Sequence, residues 1–123
     1  MKKDSENILL VKSKSFAIRI IRLYQFLSLE KKEFVLSKQL LRSGTSIGAN
    51  IAESMNAQSR ADFVSKLSIS LKEATETKYW LELLHEFDHI SDNQFDSIVN
   101  DLNIILGTLV NTIKSTKQKE GSE

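Results

Sequence analysis

The sequence contains no proline and no cysteine, and only four glycines among its 123 residues. Because proline and glycine interrupt helices and mark tight turns, their scarcity favours long helices over sheets joined by many loops. The lack of cysteine excludes disulfides, thiolate zinc sites and cysteine nucleophiles, and it fits a reducing compartment. We therefore expect a helical protein of the cytoplasm.

Long apolar runs are also lacking. The first apolar run, at residues 8–11, is too short for the hydrophobic region of a signal peptide. No later stretch approaches the roughly 18 apolar residues that a membrane span needs. We expect no export by this route and no membrane partner, and a chain of this length predicts one domain over residues 1–123.

The formal net charge of +1 hides a strong asymmetry along the chain. Residues 1–72 hold thirteen Lys and Arg against six Asp and Glu, whereas residues 73–113 hold eight acidic residues and one lysine. Such segregation suggests a basic surface that binds polyanions, or charge matching between subunits. A third interpretation is that the charges lie on solvated helix faces and have no specific role. The sequence leaves all three interpretations open.

Four segments have apolar residues at intervals of three and four, the period of an amphipathic helix. We place the helices at about residues 5–29, 36–56, 59–87 and 92–115, and we expect a disordered tail at about 116–123. Ser37 and Ser59 are the predicted N-caps of the second and third helices, and Ser91 forms a capping box with Gln94. Short connections make consecutive helices antiparallel, so the predicted fold is all-α, an antiparallel up-down-up-down four-helix bundle.

Two helices carry more apolar surface than one core needs. On the first helix, Val11 and Ile18 lie behind the main apolar face. The third helix has a heptad seam and beside it a second stripe made of Ile69, Trp80, Leu83 and Phe87. Since two apolar stripes on one helix need two partners, we expect copies of the chain to associate.

The second helix contains small residues at a regular spacing. Gly44, Gly48 and Ala52 recur every four residues, so one side of this helix has almost no side chain. The surrounding sequence has poor intrinsic helix propensity. We therefore expect another helix to approach closely here and to hold the segment in place.

Polar residues accompany the apolar stripes on the second and third helices. We interpret seven of them as a structural or interface network that fixes register and partner choice, namely Arg42, Ser46, Asn50, Glu53, Glu73, Glu76 and Trp80. The alternative is acid–base chemistry by Glu73 and Glu76, which lie one helical turn apart. Such an enzyme needs a substrate pocket, and no segment resembles a substrate loop.

Other constellations that carry chemistry are incomplete. His85 and His89 are four residues apart, but the predicted helix ends between them and there is no third histidine. Residues 43–48 lack the lysine of a phosphate-binding loop, and no serine has a histidine and an acid arranged as a triad. We predict no catalytic activity, no cofactor and no metal site.

Basic residues form a strip on the first helix. Lys12, Arg19 and Arg22 are seven and three residues apart, and Lys14 lies close in sequence. Phosphate groups are suitable ligands for such a strip, so these four residues are the predicted nucleic-acid contacts. The alternative is a rim of ordinary solubilising charges.

Residues 39–53, with the sequence QLLRSGTSIGANIAE, resemble the signature of a bacterial family of four-helix-bundle proteins encoded in intervening sequences of 23S ribosomal RNA genes. The resemblance continues through Asp62-Phe63, Ser70-Leu71-Lys72-Glu73-Ala74 and Tyr79-Trp80-Leu81, and it covers roughly residues 15–113. The chain departs from the pattern at Ser54, where glycine is frequent in the family.

The resemblance implies an up-down bundle whose copies close into a pentameric ring, and it implies no catalytic residues. Related accessory factors of diversity-generating retroelements resemble basic barrels that bind nucleic acid and a reverse transcriptase, whereas this chain is near neutral. We expect a non-catalytic homo-oligomeric scaffold, a pentamer, that binds RNA or an RNA-handling protein such as a reverse transcriptase. The alternative is a pure protein-interaction module without a nucleic-acid role.

Overall fold

Four α-helices make up most of the computed structural model, which describes residues 4–121. They are α1 (Asp4–Leu29), α2 (Leu36–Ser54), α3 (Arg60–Glu86) and α4 (Asp92–Gly121). Residues 4–121 contain no strand, and none of these helices is long and apolar enough to span a membrane. The prediction of an all-α fold is confirmed.

Each helix packs against the preceding and following helix, and α4 returns to pack against α1. Among the described residues, the Cα atoms of α1 and α3 lie more than 8 Å apart, as do those of α2 and α4, so the helices enclose one core at the corners of a square. Consecutive helices run antiparallel, which confirms the up-down-up-down bundle. The fully buried side chains include Phe16, Ile20, Leu40, Ile47, Leu67, Leu81, Leu102 and Ile105.

The interface between α1 and α2 depends on the two glycines of α2. A Cβ atom at Gly44 would lie 2.8 Å from two side-chain carbons of the fully buried Ile20. A Cβ atom at Gly48 would lie 3.3 Å from the carbonyl oxygen of Ser13. The close approach predicted for this side of α2 is therefore made by α1, while Ala52 is exposed.

The interface between α2 and α3 contains buried hydroxyl groups. The Ser70 hydroxyl donates a hydrogen bond of 2.9 Å to the backbone carbonyl of Ile47 on α2, and the hydroxyls of Thr77 and Ser43 lie 2.9 Å apart. Ser70 and Thr77 belong to the predicted heptad seam of α3, whose members from Leu67 to Leu84 are all buried. Small polar residues in this seam bring the two helices together and fix their register.

Two of the three predicted N-caps are confirmed. The Ser59 hydroxyl accepts a 3.0 Å hydrogen bond from the backbone N–H of Asp62. At the start of α4, Ser91 and Gln94 exchange two hydrogen bonds, 3.1 Å and 2.8 Å long, as in a capping box. These caps involve residues three apart, so the sequence pattern identifies them directly.

The third predicted cap, Ser37, is wrong, because Ser37 is a buried residue inside α2. The Glu33 carboxylate accepts hydrogen bonds from the backbone N–H groups of Val35, Leu36 and Ser37 at 3.1, 3.0 and 2.8 Å. One carboxylate thus satisfies three N–H groups at the helix start and complements the positive end of the helix dipole. The Ser37 hydroxyl donates to the Glu33 carbonyl instead, at 2.7 Å.

The chain after residue 115 also differs from the prediction. The disordered tail was expected at 116–123, but α4 continues to Gly121, and residues 122–123 lie outside the described part. Lys117, Gln118 and Lys119 have high helix propensity, and cations near a helix C-terminus interact favourably with the dipole. In addition, the half-buried Thr116 donates a 2.8 Å hydrogen bond to the carbonyl of Thr112. At the other helix ends the prediction agrees with the structure or errs by at most two residues.

We expect Gly44→Ala to destabilise the bundle, because the added methyl group would overlap Ile20 in a core with no room for it. Overpacking of this kind costs about 1–3 kcal/mol. The control is Gly107→Ala on α4, where an added Cβ meets no atom within 4 Å. This change should stabilise by up to about 1 kcal/mol through helix propensity alone. Urea unfolding of both variants measures the difference, and equal effects at the two positions would contradict the close approach.

Burial raises the pKa of the Glu33 carboxyl, but the hydrogen bonds from Ser37, Leu36 and Val35, together with the charge of His89, outweigh burial and lower it. The charged form is therefore favoured by folding. Glu33→Ala should cost about 1 kcal/mol at neutral pH, as the loss of a helix cap does. This cost is fully present above the unfolded-state pKa of about 4.3 and is lost as the pH falls through the lower folded-state value.

Thermal unfolding of Glu33→Ala between pH 7 and pH 3 tests this expectation. The matched control is Glu30→Ala, because Glu30 is an exposed carboxylate three residues earlier that caps no helix. A stability difference between the wild type and Glu33→Ala that does not shrink with acid would disprove the assigned role.

Candidate interaction surfaces

Four of the seven predicted network residues meet on the outer side of α2 and α3. The Arg42 guanidinium lies between two carboxylates of α3, 3.3 Å from Glu73 and in direct contact with Glu76. The indole N–H of Trp80 donates a 2.9 Å hydrogen bond to Glu76. We call Arg42, Glu73, Glu76 and Trp80 the Arg42 cluster. It is half-exposed, so it is accessible to a partner.

The other three predicted network residues make separate contacts. The Ser46 hydroxyl donates to the carbonyl of Arg42 at 2.6 Å, and the Asn50 amide donates to the carbonyl of Ser46 at 2.8 Å. Both bonds stay within α2. Glu53 lies 3.8 Å from the Lys66 ammonium of α3, and this pair is more exposed than the Arg42 cluster. The seven residues therefore line one edge of the bundle without forming a single network.

Apolar side chains are exposed on the outer surface of α1. Val11 is 65% and Leu29 is 67% exposed, and Ile18 between them is also exposed. We call Val11, Ile18 and Leu29 the α1 face. Leu29 was not identified from the sequence, because a leucine at spacing two from the core residue Leu27 gives no signal of its own at a helix end.

A second apolar surface lies on α3. Ile69 and Phe87 are exposed, Phe87 to 68%, and the second stripe predicted from the sequence connects them through the half-buried Trp80 and Leu83. We call these four residues the α3 face. Tyr79 extends it, since its ring packs edge-on against Trp80 at 5.1 Å. Because α1 and α3 occupy diagonal corners of the bundle, the α1 face and the α3 face lie on different sides of it.

One of the four residues of the predicted basic strip is held in an ion pair, so the strip is not a continuous group of free cations. The Arg19 guanidinium lies 2.7 Å from the Asp101 carboxylate and 3.0 Å from the Ser97 hydroxyl, so it joins α1 to α4. Lys12, Lys14 and Arg22 are exposed, and they form no ion pair among residues 4–119. Three of the four predicted nucleic-acid contacts therefore remain available to a partner.

The three available cations lie on two sides of α1. Successive residues of a helix are about 100° apart, which places Lys14 about 200° from Lys12. Lys14 lines a shallow groove of about 280 Å³ between α1 and α2, together with small residues such as Ala17, Gly48 and Ala49. Lys12 and Arg22 follow the same side of α1 as Arg19, towards α4. The groove was not predicted, although the small residues of α2 are its sequence signal.

Neither of two cavities in the described part of the chain forms a substrate site for acid–base chemistry by Glu73 and Glu76. A cavity of about 720 Å³ opens at the end of the bundle where α1 and α3 begin, and its lining mixes serine and threonine residues with apolar side chains and with Glu6, Arg60 and Lys119. Neither this cavity nor the groove beside Lys14 is lined by Glu73 or Glu76, both of which are held by Arg42. The geometry therefore favours the structural interpretation of the two glutamates.

The two histidines lie at the opposite end of the bundle. The Nε2 atom of His85 is 2.7 Å from an Asp92 carboxylate oxygen, and its ring stacks on Phe95 at 4.3 Å. Among the described residues, no group of three or more His, Asp or Glu side chains is placed to hold a metal ion. His85 instead connects the end of α3 to the start of α4.

Comparison with known proteins agrees with the fold. A crystal structure of a protein with unknown function from the S23 ribosomal protein family of Bacteroides thetaiotaomicron VPI-5482 is 57% identical to this chain, with a TM-score of 0.89. The match covers 89% of this chain and 98% of that one. No curated protein shows significant similarity. Residues 5–111 match the model of the 23S rRNA-intervening sequence proteins. The resemblance found in the sequence is thereby confirmed, and the chain belongs to this family.

Proposed function

We propose that the protein is a self-assembling helical scaffold that catalyses no reaction. The observation that supports this most strongly is the pair of exposed apolar surfaces, the α1 face and the α3 face. Complete burial of a side chain such as Leu or Phe stabilises by about 1.5–3 kcal/mol. Association of copies therefore has a substantial driving force, and contiguous exposed apolar surface is typical of interfaces.

The position of the two faces determines what kind of assembly can cover both. A two-fold dimer buries the same patch on both subunits, so it would cover one face and leave the other in water. Contact between the α1 face of one copy and the α3 face of the next covers both. Repetition of such a contact gives a ring when the rotation closes, which is the form expected from the family resemblance.

The Arg42 cluster supports the assignment of the α3 face as an interface. Arginine and tryptophan dominate the residues that contribute most to protein–protein binding. Here Arg42 and Trp80 are both held in place by Glu76 before any partner arrives. Side chains that are already ordered lose little conformational entropy on binding, which favours affinity.

Light scattering on a size-exclusion column tests the scaffold. We expect a mass about five times the 14.0 kDa of one chain. Ile18→Asp should dissociate the assembly, because it places an unpaired carboxylate in the apolar contact. The control is Val110→Asp on α4, where the native side chain has nearly the same exposure, 41% against 44%. A single species of 14.0 kDa for the wild type at micromolar concentration would end the proposal.

A second candidate function is RNA binding by the assembled scaffold. Lys12 and Arg22 support it, because both are exposed on the same side of α1 and have no ion pair among the described residues. A ring would repeat these charges and so strengthen the local positive potential. This candidate rests on exposed charge and not on apolar surface, so it needs its own measurement.

RNA binding by the wild type should weaken steeply with salt, because each phosphate contact adds about 0.7 to the slope of log affinity against log salt for a single strand. Lys12→Gln with Arg22→Gln should reduce both affinity and slope. The control is Lys72→Gln, which removes an exposed cation from α3. If wild-type binding at low salt is undetectable, or insensitive to salt, RNA is not a ligand of this surface.

A further inference from the structure

We infer that neighbouring copies pack α1 against α3 in a parallel, level arrangement, with Lys14 of one copy next to the Arg42 cluster of the other. The inference rests on the proposed self-assembly and adds the partner surface, the direction and the register. It follows from three properties of a single copy: the heights of α1 and α3 along the bundle, the positions of their exposed apolar residues, and the charge of the Arg42 cluster.

The height of a residue is its position along the bundle axis. The heights of residues on α1 and α3 can be compared through α2, which contacts both helices. Gly48 packs on Ser13 of α1, and its neighbour Ile47 accepts the hydrogen bond from Ser70 of α3. Ser13 and Ser70 therefore lie at about the same height.

A second pair of contacts, one to two helical turns away, also places a residue of α1 and a residue of α3 at the same height. Gly44 packs on Ile20 of α1, and its neighbour Ser43 meets the hydroxyl of Thr77 of α3. Thr77 follows Ile20 by 57 positions, and Ser70 follows Ser13 by the same number. The helices α1 and α3 thus run in the same direction with a constant offset.

This offset aligns the two apolar faces. Val11 lies at the height of residue 68, next to Ile69, and Leu29 lies at the height of residue 86, next to Phe87. In a ring whose axis is parallel to the bundles, neighbouring copies are related by rotation without a shift in height. Val11 of one copy then meets Ile69 of the next, and Leu29 meets Phe87, at the two ends of one continuous contact.

The charges agree with the same arrangement. The Arg42 cluster combines one guanidinium with two carboxylates, so it carries an excess of one negative charge. Lys14 lies at the height of residue 71, within one helical turn of Glu73. Both lie on the α2 side of their helices, since Lys14 lines the groove with α2 and Glu73 contacts Arg42 of α2. A level ring brings these two sides together, and the lysine then neutralises the excess charge.

Alternative pairings lack this agreement. Contact between two α1 faces brings the cations that flank each face, Lys14 and Arg22, close to those of the other copy, and like charges across an interface are unfavourable. An antiparallel contact of α1 with α3 places Val11 near Phe87 and moves Lys14 away from Glu73. Of these three pairings, the parallel, level arrangement is the one that matches both the apolar residues and the charges.

Disulfide cross-linking tests the inference directly, because the native chain has no cysteine. We expect co-refolded Leu29→Cys and Phe87→Cys chains to form cross-linked dimers, and Val11→Cys with Ile69→Cys to do the same. Each variant alone should form none. The mispaired mixture of Leu29→Cys with Ile69→Cys is the matched control, since the offset of 18 residues separates these thiols by about 27 Å, and a disulfide needs Cα atoms within about 7 Å.

The outcomes separate this inference from the scaffold proposal. Cross-linking of Leu29→Cys alone would show contact between two α1 faces, and cross-linking of the mispaired mixture would show an antiparallel contact. Either result overturns the inference, as does the lack of any cross-link in an assembly that light scattering still detects. The scaffold proposal survives in all three cases. A chain that stays a monomer overturns both.

Lys14→Glu provides a second measurement of the same contact. We expect the dissociation constant of the assembly to rise at least about tenfold, because a third carboxylate then faces the two of the neighbouring Arg42 cluster. Lys12→Glu makes the same charge change on the α4 side of α1 and should alter the constant less than about twofold. Equal effects of the two variants would overturn the assignment of Lys14 to the contact.

Discussion

The close approach of α2 to its neighbours is the constraint on which the rest of the structure depends. Gly44 and Gly48 let the backbone of α2 lie against Ile20 and Ser13, so α2 adds little side-chain volume on that side. On its other side, small residues such as Ser43 meet the hydroxyl seam of α3. The core is therefore narrow around α2, and it takes only one stripe of α1 and one stripe of α3.

The surplus apolar surface follows from this narrow core. Helix α1 turns Phe16, Ile20 and Leu27 inwards, and a core of this width has no space for Val11 or Leu29. Helix α3 fills its inward seam partly with Ser70, Ala74 and Thr77, so the larger Ile69 and Phe87 lie outside. Large side chains outside and small ones inside are typical of a helix that serves two interfaces. The packing of one subunit thus accounts for the exposed apolar surface on which the proposed assembly depends.

Most of the fold could be predicted from the sequence because the signals are local. The helix periods, the cap at Ser59 and the capping box at Ser91 involve residues within one or two turns. The cap by Glu33 was missed because a carboxylate outside the helix competes with the nearby Ser37, and both patterns are compatible with the sequence. The extension of α4 was missed because the composition of residues 116–121 is polar, although their intrinsic propensity is helical.

Contacts on the candidate surfaces could be predicted where they join two helices that follow each other in sequence, because such helices are expected to be neighbours. Arg42 and its two glutamates lie on adjacent helices with the right spacing, so their meeting was expected from the sequence. Arg19 gives the opposite case. Its spacing from Lys12 and Arg22 suggests one basic strip, but the carboxylate that binds it comes from Asp101, 82 positions further along the chain. The spacing of residues on α1 does not indicate which side chains of α4 lie opposite Arg19.

These ion pairs change the meaning of the charge asymmetry along the chain. Arg19 and Arg42 are neutralised inside the subunit, so the basic half of the sequence offers fewer free cations than its composition suggests. Lys14 and Arg22 flank the α1 face, whereas the second half of α3 is rich in glutamate. Opposite signs therefore lie on different helices of one bundle, each beside one of the two apolar faces. A surface with this polarity is complementary to a rotated copy of itself, which favours charge matching between subunits as the interpretation of the segregation.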